Sequence, residues 1–173
     1  MSSSTPTKPP QRASSIKVGL GQLVVSKSPS DVLSALGLGS CIGLTVFDPV
    51  TKIGGMVHVM LPSSEISTHS GPDGKYADTA IPALVDQVSR LGGDPSRLVC
   101  KMAGGAQMFS GGSGGGSLNI GSRNAIAVRA ALQVAGLRLK SAQTGGTFGR
   151  TVDIHIGTGL VTVRTVGGAV EEL

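Results

Sequence analysis

The chain carries two cysteines and three histidines, and one of each falls in a single apolar stretch, LGLGSCIGLTVFDPVTKIGGMVHVML (36–61). A thiol and an imidazole in contact can perform acyl transfer. The imidazole takes the thiol proton, the sulfur attacks a carbonyl carbon, and the imidazolium protonates the leaving group. A hairpin supplies the contact. With Asp48-Pro49-Val50-Thr51 as a four-residue loop, Phe47 lies opposite Lys52 and Cys41 opposite His58, with their Cβ atoms about 4.5–5.5 Å apart. That register places Ile42, Leu44, Val46, Ile53 and Val57 on one apolar face, and Cys41, Gly43, Thr45, Gly54, Met56 and His58 on a smaller, more polar one. A five-residue loop would set Ile42 opposite His58 and scatter the faces. The GLGS before Cys41 (37–40) lets the backbone approach a ligand and offers N–H groups, at Gly39 and Ser40 among others, to an oxyanion. Free cysteines are also among the most buried residues. From these residues alone, a core-filling Cys41 and His58 stand beside a nucleophile and its base.

Other reactive residues have no such partner. Cys100 sits in an apolar run without a nearby histidine, His69 lies in a polar loop, and His155 alternates with Asp153 on a solvent-like face. Two distant cysteines make neither a disulfide framework nor a zinc cluster, so no metal is expected, and a reducing compartment fits best. GLGSCIG departs from the dinucleotide fingerprint in its third glycine and in the strand that follows it, and no phosphate-binding GxxxxGK[ST] loop occurs.

The elements that must position the pair follow from composition and periodicity. At 173 residues, 39 % apolar and 14 % charged, the chain suits one domain. The core must come from Val, Leu, Ile, Ala and Met, because aromatic residues are nearly absent. That scarcity also removes any stacking platform for single-stranded nucleic acid, despite a net charge of +5. No apolar run is long enough to span a membrane, and no secretion signal opens the chain. Residues 1–15 read as a disordered tail and 16–173 as the domain, with SGGSGGGS (110–117) a flexible loop. About seven or eight strands are expected, at 16–25, 41–47, 53–61, 97–103, 137–143, 151–156 and 160–166, the last two joined by a GTG turn. One helix is expected from Asp78 or Thr79 to Gly92, with the stripe Ile81, Leu84, Val85, Val88 and Leu91. A second is expected over 122–136, with the stripe Ile126, Ala127, Ala130, Ala131 and Val134. The strand-rich, irregular order predicts a mixed α/β fold, a β-sandwich with two main helices packed outside.

At these residues the sequence closely resembles the chemoreceptor glutamine deamidase family, CheD. The matching motifs are LGLGSC (36–41), DPV (48–50), GGMVHVMLP (54–62), GKYADTA (74–80), AGGAQMF (103–109), NIGSRN (119–124) and TGG (144–146), spread over about residues 16–168. The resemblance implies a cytoplasmic amidohydrolase that converts glutamine side chains of methyl-accepting chemotaxis receptors to glutamate, and a fold similar to bacterial deamidating toxins. It implies Cys41 as nucleophile, His58 as base and no cofactor. A CheC-type phosphatase is implied as a second partner, competing with receptors. It also places Gly39, Ser40, Gly104, Gly105, Asn119, Arg123, Asn124, Thr144 and Gly145 along the cleft. Asn119 and Ser122 read equally well as residues that open a helix, and the glycines as turn formers.

One departure bears on chemistry. Where the family carries a threonine as third triad member, this chain has Ala35, which cannot hydrogen-bond a histidine. The adjacent Ser34 would point to the opposite face of a strand. Either a backbone carbonyl orients His58 or activity is weakened. A non-catalytic regulator that binds receptors or the phosphatase is therefore the alternative, and ester hydrolysis or amine transfer through the same thioester is a third possibility.

Overall fold

The computed structural model describes residues 13–108 and 119–173. The tail residues 1–12 and the glycine-rich 110–117 lie outside the described residues. Two mixed sheets of five strands each stack face to face, and two helices cover the outer side of one of them. One sheet has the order β1 (Ser14–Lys17), β3 (Asp31–Leu38), β8 (Arg150–His155), β9 (Val161–Thr165), β10 (Val170–Glu172). The other has the order β2 (Leu23–Ser26), β5 (Ile53–Val59), β4 (Ile42–Asp48), β6 (Val99–Gly104), β7 (Leu139–Thr144). This is the sandwich with helices outside that the sequence predicts, with ten strands among the described residues where about seven or eight are expected.

The additional strands have local causes. The run 16–25 is two strands, because Gly21 takes a left-handed φ of 69° in a turn that separates β1 from β2. Ser14 and Ser15, expected in the tail, pair in parallel with Asp31 and Val32. β3 escapes the sequence reading because a bulge between Ala35 and Leu38, with Gly37 at φ 63°, breaks its alternation.

β4 and β5 lie at the centre of the second sheet and are buried at every position. On one face Ile42, Leu44, Val46, Val57 and Val59 meet the helices α1 (Ala77–Leu91) and α2 (Ile120–Val134). On the other, Phe47 and Met56 join Leu33, Ala35, Leu38, Val152 and Ile154 of the opposing sheet. The sheets approach so closely there that a Cβ on Gly43 would stand 2.9 Å from Leu38 Cδ1, and one on Gly54 would stand 2.7 Å from Ile156 Cδ1. A larger residue at either position would have to displace the tip of a core side chain from the opposing sheet.

The β4–β5 loop is Pro49–Lys52, one residue later than expected, so Asp48 pairs with Ile53 and Gly43 with His58. The register is therefore two residues away from the expected one, and an even shift keeps every side chain on its expected face. Asp48 causes the shift. Its fully buried carboxylate accepts from Arg97 Nε (3.0 Å) and Nη2 (2.8 Å), Asp94 N–H (2.9 Å) and Val50 N–H (2.9 Å), which holds it in the strand while Lys52 closes the turn at φ 58°.

Both helices differ in detail from expectation. Tyr76 is the N-cap of α1, because Asp78 accepts from Ser64 N–H and Oγ instead of capping. Ile81, Leu84 and Val88 face inward as expected. In α2 the buried residues are Gly121, Asn124, Ala125, Val128 and Leu132, while Ile126 is 64 % and Val134 90 % exposed. The expected stripe is rotated from the true one, because the buried face carries a polar residue and alanines occur on every side.

The Arg97 guanidinium, aided by the Asp94 and Val50 N–H groups against the cost of burial, holds the Asp48 carboxyl well below the ordinary carboxylate range. Asp48→Ala should lower unfolding stability in urea by about 1–3 kcal/mol, since it removes the one acceptor shared by the Arg97 guanidinium and the Asp94 and Val50 N–H groups. The stabilisation is complete above about pH 4 and is lost as pH falls toward the folded-state value. The gap between wild type and variant should therefore narrow in acid.

Candidate active site

His58 lies on the central strand β5 with 4 % of its surface exposed. Its Nδ1 is 3.1 Å from the carbonyl oxygen of Val18. A carbonyl only accepts, so Nδ1 carries the proton and Nε2 keeps its lone pair. Nε2 is buried and has no hydrogen-bond partner. The turn after β1 fixes this arrangement from three sides. Gly21 N–H donates to the His58 carbonyl (2.9 Å), the His58 N–H donates to the Gln22 carbonyl (3.0 Å), and Gln22 Oε1 accepts from Gly19 N–H (2.8 Å). A main-chain carbonyl thus does for His58 what Ala35 cannot. Ala35 is fully buried in the inter-sheet core, and Ser34 turns the other way to donate its hydroxyl to Asp153.

Cys41 stands in the short link between β3 and β4, half-exposed, and packs against the inter-sheet core. Gly43, directly opposite His58, points into the same core. Cys41 and His58 are therefore diagonal neighbours on one face, where the sequence predicts a directly opposed pair. No hydrogen bond joins the two side chains in the resting site, where Nε2 has no partner.

Burial pushes the Cys41 thiol up, and burial pulls the His58 imidazole down against the opposing effect of the Val18 carbonyl. Desolvation is the sole cause of the thiol's shift and the largest cause of the imidazole's, and both groups are neutral near pH 7. Cys100, fully buried opposite Val46, is pushed up to about 11 by burial.

The peptides around Cys41 are anchored on their carbonyl side. Ala106 N–H donates to Gly39 (2.8 Å), Gly105 N–H to Cys41 (2.9 Å), and Asn124 Nδ2 to Ser40 (2.9 Å). Among the described residues, no acceptor meets the Cys41 N–H. Gly104, at φ 119°, is required here, because a Cβ would lie 2.1 Å from the Cys41 carbonyl oxygen. Arg150, 8 % exposed, supports the same loop from beneath, donating from Nη1 to the Gly104 carbonyl (3.1 Å) and from Nε to Gln143 (3.2 Å).

On the far side of this loop, Gly105, Asn119, Thr144, Gly145, Gly146 and Arg129 line part of a cavity of about 360 Å³. Asn119 caps α2 through Ser122 N–H and donates to Gln107 Oε1 (3.1 Å). Arg123 is exposed on α2 and is not among the lining residues; Arg129 supplies the guanidinium there. Val18 and Gln22 escaped the sequence reading because a carbonyl's direction leaves no trace in residue type. Arg150 left one signal, a charge at a position where β8 buries its side chain.

A half-buried thiol, a histidine with its Nε2 lone pair free and an unclaimed N–H beside the sulfur are the equipment of a thiol hydrolase acting on amides or esters. The family model described as CheD chemotactic sensory transduction matches residues 60–165, a span that begins just after His58. Full-length relatives extend over the site itself. The chain is 47 % identical over 152 residues to a probable chemoreceptor glutamine deamidase CheD of Desulforamulus reducens, covering 88 % of this chain and 91 % of that one. It is 44 % identical over 151 residues to the chemoreceptor glutamine deamidase CheD of Thermotoga maritima, covering 87 % and 92 %. Among solved structures, the Bacillus licheniformis hypothetical protein YfiH is similar at a TM-score of 0.45 and 13 % identity, over 80 % of this chain and 60 % of that one, too distant to carry an argument. The chain belongs to the CheD family.

The two thiols should separate cleanly by alkylation of the native protein. Iodoacetamide should label Cys41 and spare Cys100, as read by peptide mass spectrometry. The Cys41 rate should climb with pH to an apparent pKa above the free-thiol value of about 8.5. Equal labelling of both cysteines would contradict the assigned burial.

Proposed function

We infer that the protein is a glutamine deamidase that hydrolyses side-chain amides of methyl-accepting chemotaxis receptors, with Cys41 as nucleophile and His58 as base. The observation that carries this reading is the Val18 carbonyl on His58 Nδ1, which leaves Nε2 as the proton acceptor on the face of Cys41. Membership of the CheD family supports the substrate, since the relatives named above are chemoreceptor glutamine deamidases. The same membership supports a CheC-type phosphatase as second partner and the cytoplasm as compartment. Among the described residues no helix is long and apolar enough to cross a membrane.

A neutral resting pair calls for proton transfer during attack, as in a serine hydrolase, and not for a preformed ion pair. Nε2 takes the Cys41 proton as sulfur bonds to the carboxamide carbon, and the C=O π electrons move onto oxygen, facing the Cys41 N–H. Collapse expels the amino group, which takes the proton back from the imidazolium and leaves as ammonia. Water then attacks the thioester while Nε2 accepts one of its protons. The second collapse returns that proton to sulfur and releases the new carboxylic acid, which ionises to glutamate. No cofactor enters these steps.

The upward shift of the thiol favours one rival reading, a regulator that binds receptors without turnover. Ammonia release separates the two. Wild-type protein should raise the mass of a receptor cytoplasmic fragment by about 1 Da per converted amide, as NH₂ is exchanged for OH. Cys41→Ala should produce no shift, and His58→Ala should cut kcat by about 10²–10⁴-fold. The acid limb of kcat/KM should fall below the ordinary imidazole value of about 6.5, because burial keeps His58 neutral to lower pH. Receptor capture with no ammonia released would establish the regulator instead.

A further inference from the structure

Asn124 has none of its surface exposed, yet both of its N–H bonds are committed, one to the Ser40 carbonyl at 2.9 Å and one to the Met60 carbonyl at 2.8 Å. Its Oδ1 is buried without a partner. The reverse orientation of the amide would set Oδ1 against two carbonyl oxygens, so the orientation is determined by chemistry. One side chain thus ties the residue before the nucleophile to the strand end two residues beyond His58. α2 can bring it there because Gly121 lets the helix touch the 104–106 loop; a Cβ at that position would lie 2.5 Å from the Gly105 and Ala106 carbonyl oxygens.

The Ser40 carbonyl and the Cys41 N–H belong to the same peptide unit. No peptide bond among the described residues is cis, and in a planar trans peptide the C=O and N–H point in opposite directions. Drawing the Ser40 carbonyl toward α2 therefore turns the Cys41 N–H away from it. No described residue accepts from that N–H.

We propose that Asn124 is a positioning residue for the deamidation, holding the Ser40–Cys41 peptide so that the Cys41 N–H is aimed at the oxyanion of the tetrahedral intermediate, while its second N–H keeps the His58 strand at the matching distance. This rests on the reading of Cys41 and His58 given above. Asn124 touches neither substrate nor sulfur and acts through the peptide it orients.

The test compares Asn124→Ala and Asn124→Ser, which retains one donor, with wild type in the full chain, using a receptor cytoplasmic fragment as substrate. Iodoacetamide alkylation of Cys41 is the second readout, because displacement of iodide needs the sulfur but develops no oxyanion. Misaiming an oxyanion donor should lower kcat by about 10²-fold, with KM and the alkylation rate each within about threefold of wild type. Asn124→Ser should recover part of kcat. Unchanged kcat, a fall in alkylation parallel to kcat, or failure of both variants to fold overturns the proposal in favour of a purely structural clamp. Absence of ammonia release by wild type would refute the deamidase reading itself, an outcome distinct from normal turnover in the Asn124 variants.

Discussion

Everything at the site depends on β4 and β5 being buried on both faces. A strand pair with a layer against each side has no freedom to slip, because moving either strand by one residue would drive Val57 and Leu44 from the helix layer into the opposing sheet. That confinement fixes the diagonal placement of Cys41 and His58 on which the proposed mechanism relies. It also explains why the pair sits at an end of the sandwich. The interior proper is closed by Phe47, Met56 and Leu38, and Cys41, in the link that leads into β4, is one of the partly exposed side chains packed against it.

Confinement sets the electrostatics as well. A wall apolar enough to lock the register also desolvates whatever it holds, so it raises the thiol and lowers the imidazole together. Both shifts disfavour charge. A site of this kind does not keep a thiolate waiting, so the proposed mechanism draws on geometry offered at the moment of attack. The Val18 carbonyl supplies the first part by fixing the tautomer. Because it is main chain, it resists loss by point mutation better than a threonine hydroxyl would, which is the physical sense in which Ala35 is tolerable here.

Much of this was legible in the residues, for identifiable reasons. The hairpin logic placed Cys41 and His58 on one face although the loop was misplaced by one residue, because a shift of two in register preserves faces. What misplaced the loop was an ion pair between the buried Asp48 carboxylate and Arg97, whose distant position gave no local sign of it. β3 was missed because its bulge interrupts the alternation that marks a strand. The stripe of α2 was misjudged because alanine is compatible with every face of a helix, and because the buried Asn124 reads in sequence as a polar surface position. Side-chain patterns thus revealed what is carried by side chains. The carbonyl of Val18, the peptide of Ser40 and the N–H of Cys41 became visible only in coordinates.

That division suggests how the glycines should be understood. Gly104, Gly105 and Gly121 sit where three pieces of backbone meet, with would-be Cβ atoms 2.1–2.8 Å from carbonyl oxygens of the facing segments. Contact of this kind removes side chains so that main-chain donors and acceptors can address one another directly. The result is a frame in which the Gly39, Ser40 and Cys41 carbonyls are each held by a different partner, Ala106, Asn124 and Gly105. Three anchored carbonyls leave the intervening N–H groups little freedom to rotate. A catalytic dipole that cannot reorient has no reorganisation left to perform when charge develops on the substrate, which is the property electrostatic catalysis requires. By this argument the glycine motifs serve rigidity at the site more than flexibility, and the side chains of Asn124 and Arg150 are the two polar props that the frame itself could not provide.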